Sequence, residues 1–129
     1  MTPRSNPLPL VTVLIETMKI NYQVELFFLD EVIEEDLPSY DKGMVKKIFG
    51  EIIKKAKSPL LIPLGSIEPL HGELSGCGKI RMLSDMIRIV VRPTIRQQQP
   101  VLLEIIAVGP KAMEEAYLLA TVRYKNLKK

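Results

Sequence analysis

The chain has 129 residues, 47% of them hydrophobic and 26% charged, the make-up of one ordinary globular domain; a disordered or fibrous chain is excluded. A single cysteine excludes an internal disulfide, so a reducing, cytoplasmic setting is expected; no apolar run reaches the ~20 residues that span a bilayer, so no membrane partner is expected. The net charge of +3 is unevenly spread: residues 1–78 hold 8 Lys/Arg against 11 Asp/Glu, and residues 79–129 hold 10 against 4, a C-terminal basic surplus suited to a phosphate-rich partner.

Residues 1–17 hold three of the ten prolines and read as an N-terminal extension, with the domain proper expected over 18–129. Within the extension LPLVTVLI, residues 8–15, is broken by Pro9 and Thr12 and followed by no small-residue cleavage site, which argues against a signal peptide. INYQVELFF, 20–28, is rich in β-branched and aromatic residues and predicts a first strand. DEVIEEDL, 30–37, is acidic, has a short helical period and ends at Pro38. Asp41 can cap a longer helix to about Lys57, since Met44, Ile48, Ile52 and Ala56 recur every fourth residue. Residues 59–78 hold three prolines and four glycines and predict a long loop, with LLIPL a short extended piece inside it.

Two strands follow, KIRML over 79–83 and MIRIVVR over 86–92, joined as a hairpin about Ser84 and Asp85. PTIRQQQP, 93–100, is a turn-rich connection. VLLEIIAVG, 101–109, is almost wholly apolar, as a strand inside a sheet must be. KAMEEAYLLATVRY, 111–124, predicts a helix with Met113, Ala116, Ala120 and Tyr124 on one side. The expected order is βααβββα. Strands and helices are segregated, so the class is α+β, with a largely antiparallel sheet of about four strands, two N-terminal helices and one C-terminal helix.

The segment HGELSGCGKIR, 71–81, brings glycines up to a lysine, the outline of a phosphate-cradling P-loop. That motif needs Gly, four residues, Gly-Lys and then Ser or Thr. Here Glu73 stands at the first glycine and Ile80 at the Ser/Thr, and Lys79 opens a strand where a P-loop lysine opens a helix. His71 and Cys77 have no further ligands at a metal-binding spacing. No cofactor or metal is expected, and the glycines read as a flexible lead-in. The basic spacing says more. Strand residues two apart share a face, so Lys79 pairs with Arg81, and Arg88 with Arg92. A hairpin at Ser84–Asp85 sets these pairs on one side of the sheet, with Ile87, Ile89 and Val91 turned into a core. Such a cluster either clamps a phosphodiester or forms a solvated sheet face.

LSGCGKIRMLSDMIRIVV and VLLEIIAVGPKAMEEAYLLATVR resemble the RelE/ParE family of bacterial type II toxins. The resemblance runs from about Lys19 to Arg123. Its most specific parts are LSG before the Lys-x-Arg strand, the Arg seven residues further on, and VG followed by a charged residue and a Tyr in the last helix. It implies a compact α+β fold and, from the mRNA-cleaving branch, a catalytic set of Lys79, Arg81, Arg88, Lys111 and Tyr117, with Arg92 and Arg123 as further RNA-binding residues. The implied activity is a metal-independent endoribonuclease: the RNA's own 2′-hydroxyl attacks phosphorus, and cations stabilise the charge that develops. Arg88 would clamp the phosphate and Arg81 support it. Like charges around a lysine favour its neutral form, which would make Lys79 the base. Lys111 or Tyr117 would protonate the leaving 5′-oxygen, or Tyr117 would stack on a base. The implied partners are an antitoxin protein, mRNA and the ribosome. The ParE-like branch implies DNA gyrase as target instead, without RNA cleavage, and a basic RNA-binding module without toxicity is the reading from another class. The chain departs from the nuclease pattern in having Lys at 111 where Arg is usual, Ile87 and Val91 where aromatics are common, Gly78 before the lysine, and acids over 30–36.

Overall fold

The computed structural model describes residues 6–56, 67–82, 84 and 86–127, all but Met113 with their side chains. The chain starts with helix α1, Leu8–Tyr22. Pro9 is harmless in its first turn, where a backbone N–H has no helical partner to lose. Val11, Leu14 and Met18 form its buried stripe, and Gln23 closes it in the left-handed region at φ 56° with its N–H on the Met18 carbonyl. The expected boundary at residue 17 therefore falls inside a continuous helix whose Val11 and Leu14 join the same core as the rest. Ile20–Tyr22, expected to open the first strand, belong to this helix.

Strand β1 is Val24–Phe28, with Val24, Leu26 and Phe28 buried in strict alternation. The acidic segment forms a π-helical turn, Val32–Asp36, and a 3₁₀ turn, Leu37–Ser39, in place of a regular helix. Helix α2 spans Lys42–Ala56 and buries Val45, Ile48, Phe49, Ile52 and Ala56. Asp41 caps it as expected, its Oδ1 accepting the Met44 N–H at 2.8 Å. Then come β2 (Glu68–Pro69), β3 (Gly78–Met82), β4 (Ile87–Thr94), β5 (Val101–Pro110), a 3₁₀ turn (Ala112–Glu114) and helix α3 (Glu115–Leu127).

The class is α+β, but the sheet has five strands and is mixed, in the order β1-β5-β4-β3-β2. The expected four-strand βααβββα order is corrected in three places: a helix precedes β1, π-helical and 3₁₀ turns replace the first expected helix, and the two-residue β2 adds to the far edge. β1 runs parallel to β5, Val24 opposite Val101, while the other three pairs are antiparallel. Met82 pairs with Ile87, so the hairpin turns where expected; Asp85 and LLIPL lie outside the described residues. Val90 faces Ala107 but Val91 faces Ile105, which leaves Ile106 as a β-bulge. The extra residue resets the alternation, so that Glu104, opposite Arg92, shares a face with Gly109, opposite Arg88.

One face of the sheet, with Leu26, Phe28, Ile80 and Ile89, forms the main core with α2; Phe28 and Phe49 meet at 5.8 Å between ring centroids. Ile87, Ile89 and Val91 are buried as expected. α3 crosses the other face. It comes so close that a Cβ on Gly109 would lie 3.3 Å from the Ala116 Cα. Ala116, Ala120 and Tyr124 of α3 are buried, and the two alanines are small enough to permit this approach. No helix among the described residues is long and apolar enough to cross a membrane.

Candidate functional site

Cross-strand neighbours in a sheet point to the same side. Arg81 stands opposite Arg88, and Lys79 opposite Val90, so Lys79, Arg81 and Arg88 share the face that α3 crosses. This is the grouping expected from the spacing. Arg88's neighbour on its other side is Gly109, which has no side chain and lies against Ala116 of α3.

Arg88 is only 5% exposed. Its Nη1 donates to the Ile87 carbonyl at 3.2 Å, and among the described residues no carboxylate pairs with it. A guanidinium carries five N–H donors and a permanent charge. Burying that charge is costly without a counter-charge, and the nearest cross-strand charge, Arg81, has the same sign. The position therefore favours an anion from outside.

Lys79 and Arg81 are half-exposed and share one carboxylate. Glu68 of β2 accepts from Arg81 Nη2 at 2.5 Å and stands 3.7 Å from Lys79 Nζ. β2 can lie this close because residue 78 is glycine: a Cβ there would strike Ile67 Cγ2 and come within 3.1 Å of the Glu68 carbonyl oxygen. The like-charge surroundings expected of Lys79 are thus broken by an acid, which removes the ground for assigning it the base. Lys79 Nζ also lies 5.9 Å from the centre of the Tyr117 ring, a cation–π contact that brings α3 to the basic set. Lys111 follows β5, its N–H on the Met86 carbonyl at 2.8 Å. Its exposed side chain lines a groove with Tyr40, Met44 and Met86 at the end of the sheet where Arg88 lies.

Arg92 and Arg123, expected as RNA-binding residues, have carboxylate partners within the fold. Arg92 Nε donates to Glu104 at 2.6 Å, with its guanidinium 5.3 Å from the Tyr124 ring centre. The Glu104 hydrogen bond holds this arginine more firmly in its charged form. Arg123 is 6% exposed. It makes two hydrogen bonds to Asp36, at 2.7 and 2.9 Å, and a third to the Ile106 carbonyl at 3.1 Å. Asp36 also accepts the Val108 N–H at 2.9 Å. Each arginine is held by a carboxylate within the fold, Arg123 almost wholly buried and Arg92 about a quarter exposed.

The HGELSGCG segment is stitched in place, which corrects the flexible lead-in. Leu70 N–H donates to the Cys77 carbonyl and Cys77 N–H to the Leu74 carbonyl, both at 2.9 Å. The Tyr124 hydroxyl donates to the Ser75 carbonyl at 3.0 Å. Gly76, at φ +94°, supplies the left-handed backbone this needs. Cys77 is buried and His71 exposed. The residue that sequence reasoning missed is Glu68. Its strand is two residues long, too short for an alternation to register.

Comparison of the chain with protein-family models, curated proteins and solved structures finds no match.

Proposed function

We propose that this protein binds an RNA phosphodiester on the Lys79–Arg81–Arg88 face and cleaves it, as a RelE/ParE-like toxin of a type II toxin–antitoxin module acting on mRNA at the ribosome. The observation that carries this reading is Arg88, a buried guanidinium with a single carbonyl partner among the described residues and a second arginine across the ladder. A phosphate oxygen supplies the missing counter-charge, and the pair can hold it by charge-assisted hydrogen bonds. The resemblance in LSG, Lys-x-Arg and VG supplies the substrate class.

In this scheme the 2′-oxygen forms a bond to phosphorus as the bond to the 5′-oxygen breaks, leaving a 2′,3′-cyclic phosphate. The nucleophile's proton goes to Glu68, the carboxylate already seated among these cations and released when Arg81 turns to the phosphate. Lys111 returns a proton to the 5′-oxygen. Arg88 and Lys79 stabilise the charge that builds on the phosphoryl oxygens, and Tyr117 holds Lys79 in place from α3. An antitoxin protein would restrain the activity.

The test is primer extension on mRNA incubated with translating ribosomes and the purified protein. Cleavage by the wild type that disappears in Arg88→Met, with the circular dichroism of the fold unchanged, supports the reading. Undiminished cleavage in Arg88→Met overturns the site. Intact mRNA with blocked DNA supercoiling by gyrase transfers the target to the ParE-like branch.

A further inference from the structure

α3 has two flanks with opposite character. Tyr117 and Tyr124 lean toward Lys79 and Arg92. The other flank bears Leu118 and Val122, one turn apart and 64% and 63% exposed although both are large and aliphatic. Residues four apart on a helix stack along one side, so these two make a continuous apolar stripe. Beside it a groove of about 420 Å³ runs between α3 and the π-helical segment. Leu118, Leu119 and Val122 form its apolar wall, and Glu31, Glu35 and Glu115 stand along it. It continues past Glu35 and Glu115 into a second hollow of about 440 Å³ that reaches Tyr40 and Pro110. The one cation lining the first hollow, Arg123, is buried, bonded to Asp36 and 3.9 Å from the Glu35 carboxylate, which stays largely exposed.

We infer that this groove is a docking site for a basic amphipathic helix of a partner protein, with an apolar stripe seated on Leu118, Leu119 and Val122 and with Lys or Arg reaching Glu31, Glu35 and Glu115. Charge chooses the occupant. Three carboxylates beside an apolar wall repel nucleic acid and anionic lipid, whose surfaces are phosphates. A second copy meeting it across a two-fold axis would bring the same carboxylates against themselves. A helix with apolar residues at i, i+3 or i+4 and i+7 and basic flanks matches both the stripe and the rim, as helix-in-groove recognition requires. The site is on the flank of α3 turned away from Lys79, so it does not depend on the phosphate chemistry. A partner seated there leaves Arg81 and Arg88 uncovered.

The test uses the full chain, ¹⁵N-labelled, titrated with a synthetic 16-residue peptide carrying leucines at that spacing flanked by lysines, and with the same peptide carrying glutamates for lysines. The expected result is saturable amide shifts confined to residues 31–35 and 115–126 with the lysine peptide, and at least tenfold weaker binding of the glutamate peptide. Leu118→Gln with Val122→Gln should weaken the lysine peptide at least tenfold; both side chains are exposed, so the fold, checked by circular dichroism, should not change. The inference is overturned if the lysine peptide produces no shifts, if its shifts fall on residues 79–88, or if the Gln pair binds it undiminished. It is overturned equally if a single-stranded RNA oligomer shifts the same amides, or if they move with protein concentration alone, as they would at a contact between copies.

Discussion

Arg88 and Arg123 lie on the same sheet-and-helix layer and are equally withdrawn from water, at 5% and 6% exposure, yet their surroundings are opposite. Arg123 has a bidentate carboxylate and a backbone carbonyl, and its carboxylate is itself held by a buried N–H. Arg88 has the carbonyl of its own neighbour, another arginine across one ladder and a glycine across the other. Burial alone thus says nothing about role; the state of the donors does. A charge whose donors are filled joins β5, α3 and the π-helical turn into one piece. A charge whose donors are not filled within the fold can still take an anion from outside.

The comparison is most easily broken at Arg123. Arg123→Ala should destabilise the fold by about 3–5 kcal/mol by stranding Asp36 in the interior, read as a fall in the urea midpoint at unchanged slope, and Asp36→Leu with Arg123→Met should recover part of it. A loss under 1 kcal/mol would mean that the pair does not hold the layers together. At the other arginine the effect should fall on function. Arg88→Met should leave stability within about 1 kcal/mol of the wild type or raise it, while cleavage falls about 10²–10³-fold; inorganic phosphate should raise the melting temperature of the wild type and not of this variant. Glu68→Gln sharpens the contrast in a different way. It frees Lys79 and Arg81 from their carboxylate, so phosphate should bind more tightly while cleavage falls about 10²-fold for want of the base; tighter binding with undiminished cleavage would remove Glu68 from the chemistry.

The smallest effect is expected at the sheet's other margin. The Arg96 hydrogen bond and charge hold the exposed Glu25 carboxyl below its ordinary value. A lowered folded-state value means that the pair's stabilisation is present above the ordinary carboxylate range and is lost as pH falls through the lowered value. Glu25→Gln should therefore narrow the fall in melting temperature between pH 7 and pH 3 slightly, and 1 M salt should abolish the difference from the wild type.

The parts of the molecule governed by local rules were legible in the sequence. Asp41 before an apolar four-residue period located α2 and its cap. The polar break at Ser84 located the hairpin, and the alternation through Lys79, Arg81 and Arg88 placed all three on one face. What was not legible depends on distant contacts. α1 was hidden because prolines and β-branched residues disguise a helix whose stability comes from packing Val11, Leu14 and Met18. Arg92 and Arg123 read as surface cations because Glu104 and Asp36 are far away in the chain. Arg88's burial was invisible too, since only the docking of α3 over Gly109 covers that face.

The parallel pairing of β1 with β5 has a consequence for how the molecule comes into being. β1 leaves the ribosome before its partner, Val101–Ile105, has been made. Until then its edge has nothing to close against, and long-range closure of this kind is slow. A chain interrupted before Val101 would expose an open strand edge prone to aggregate. β5 is also the strand that flanks Arg88 and leads into α3. Birth order thus governs assembly: the sheet, and with it the layer of α3 over Arg88, closes only after β5 has been made.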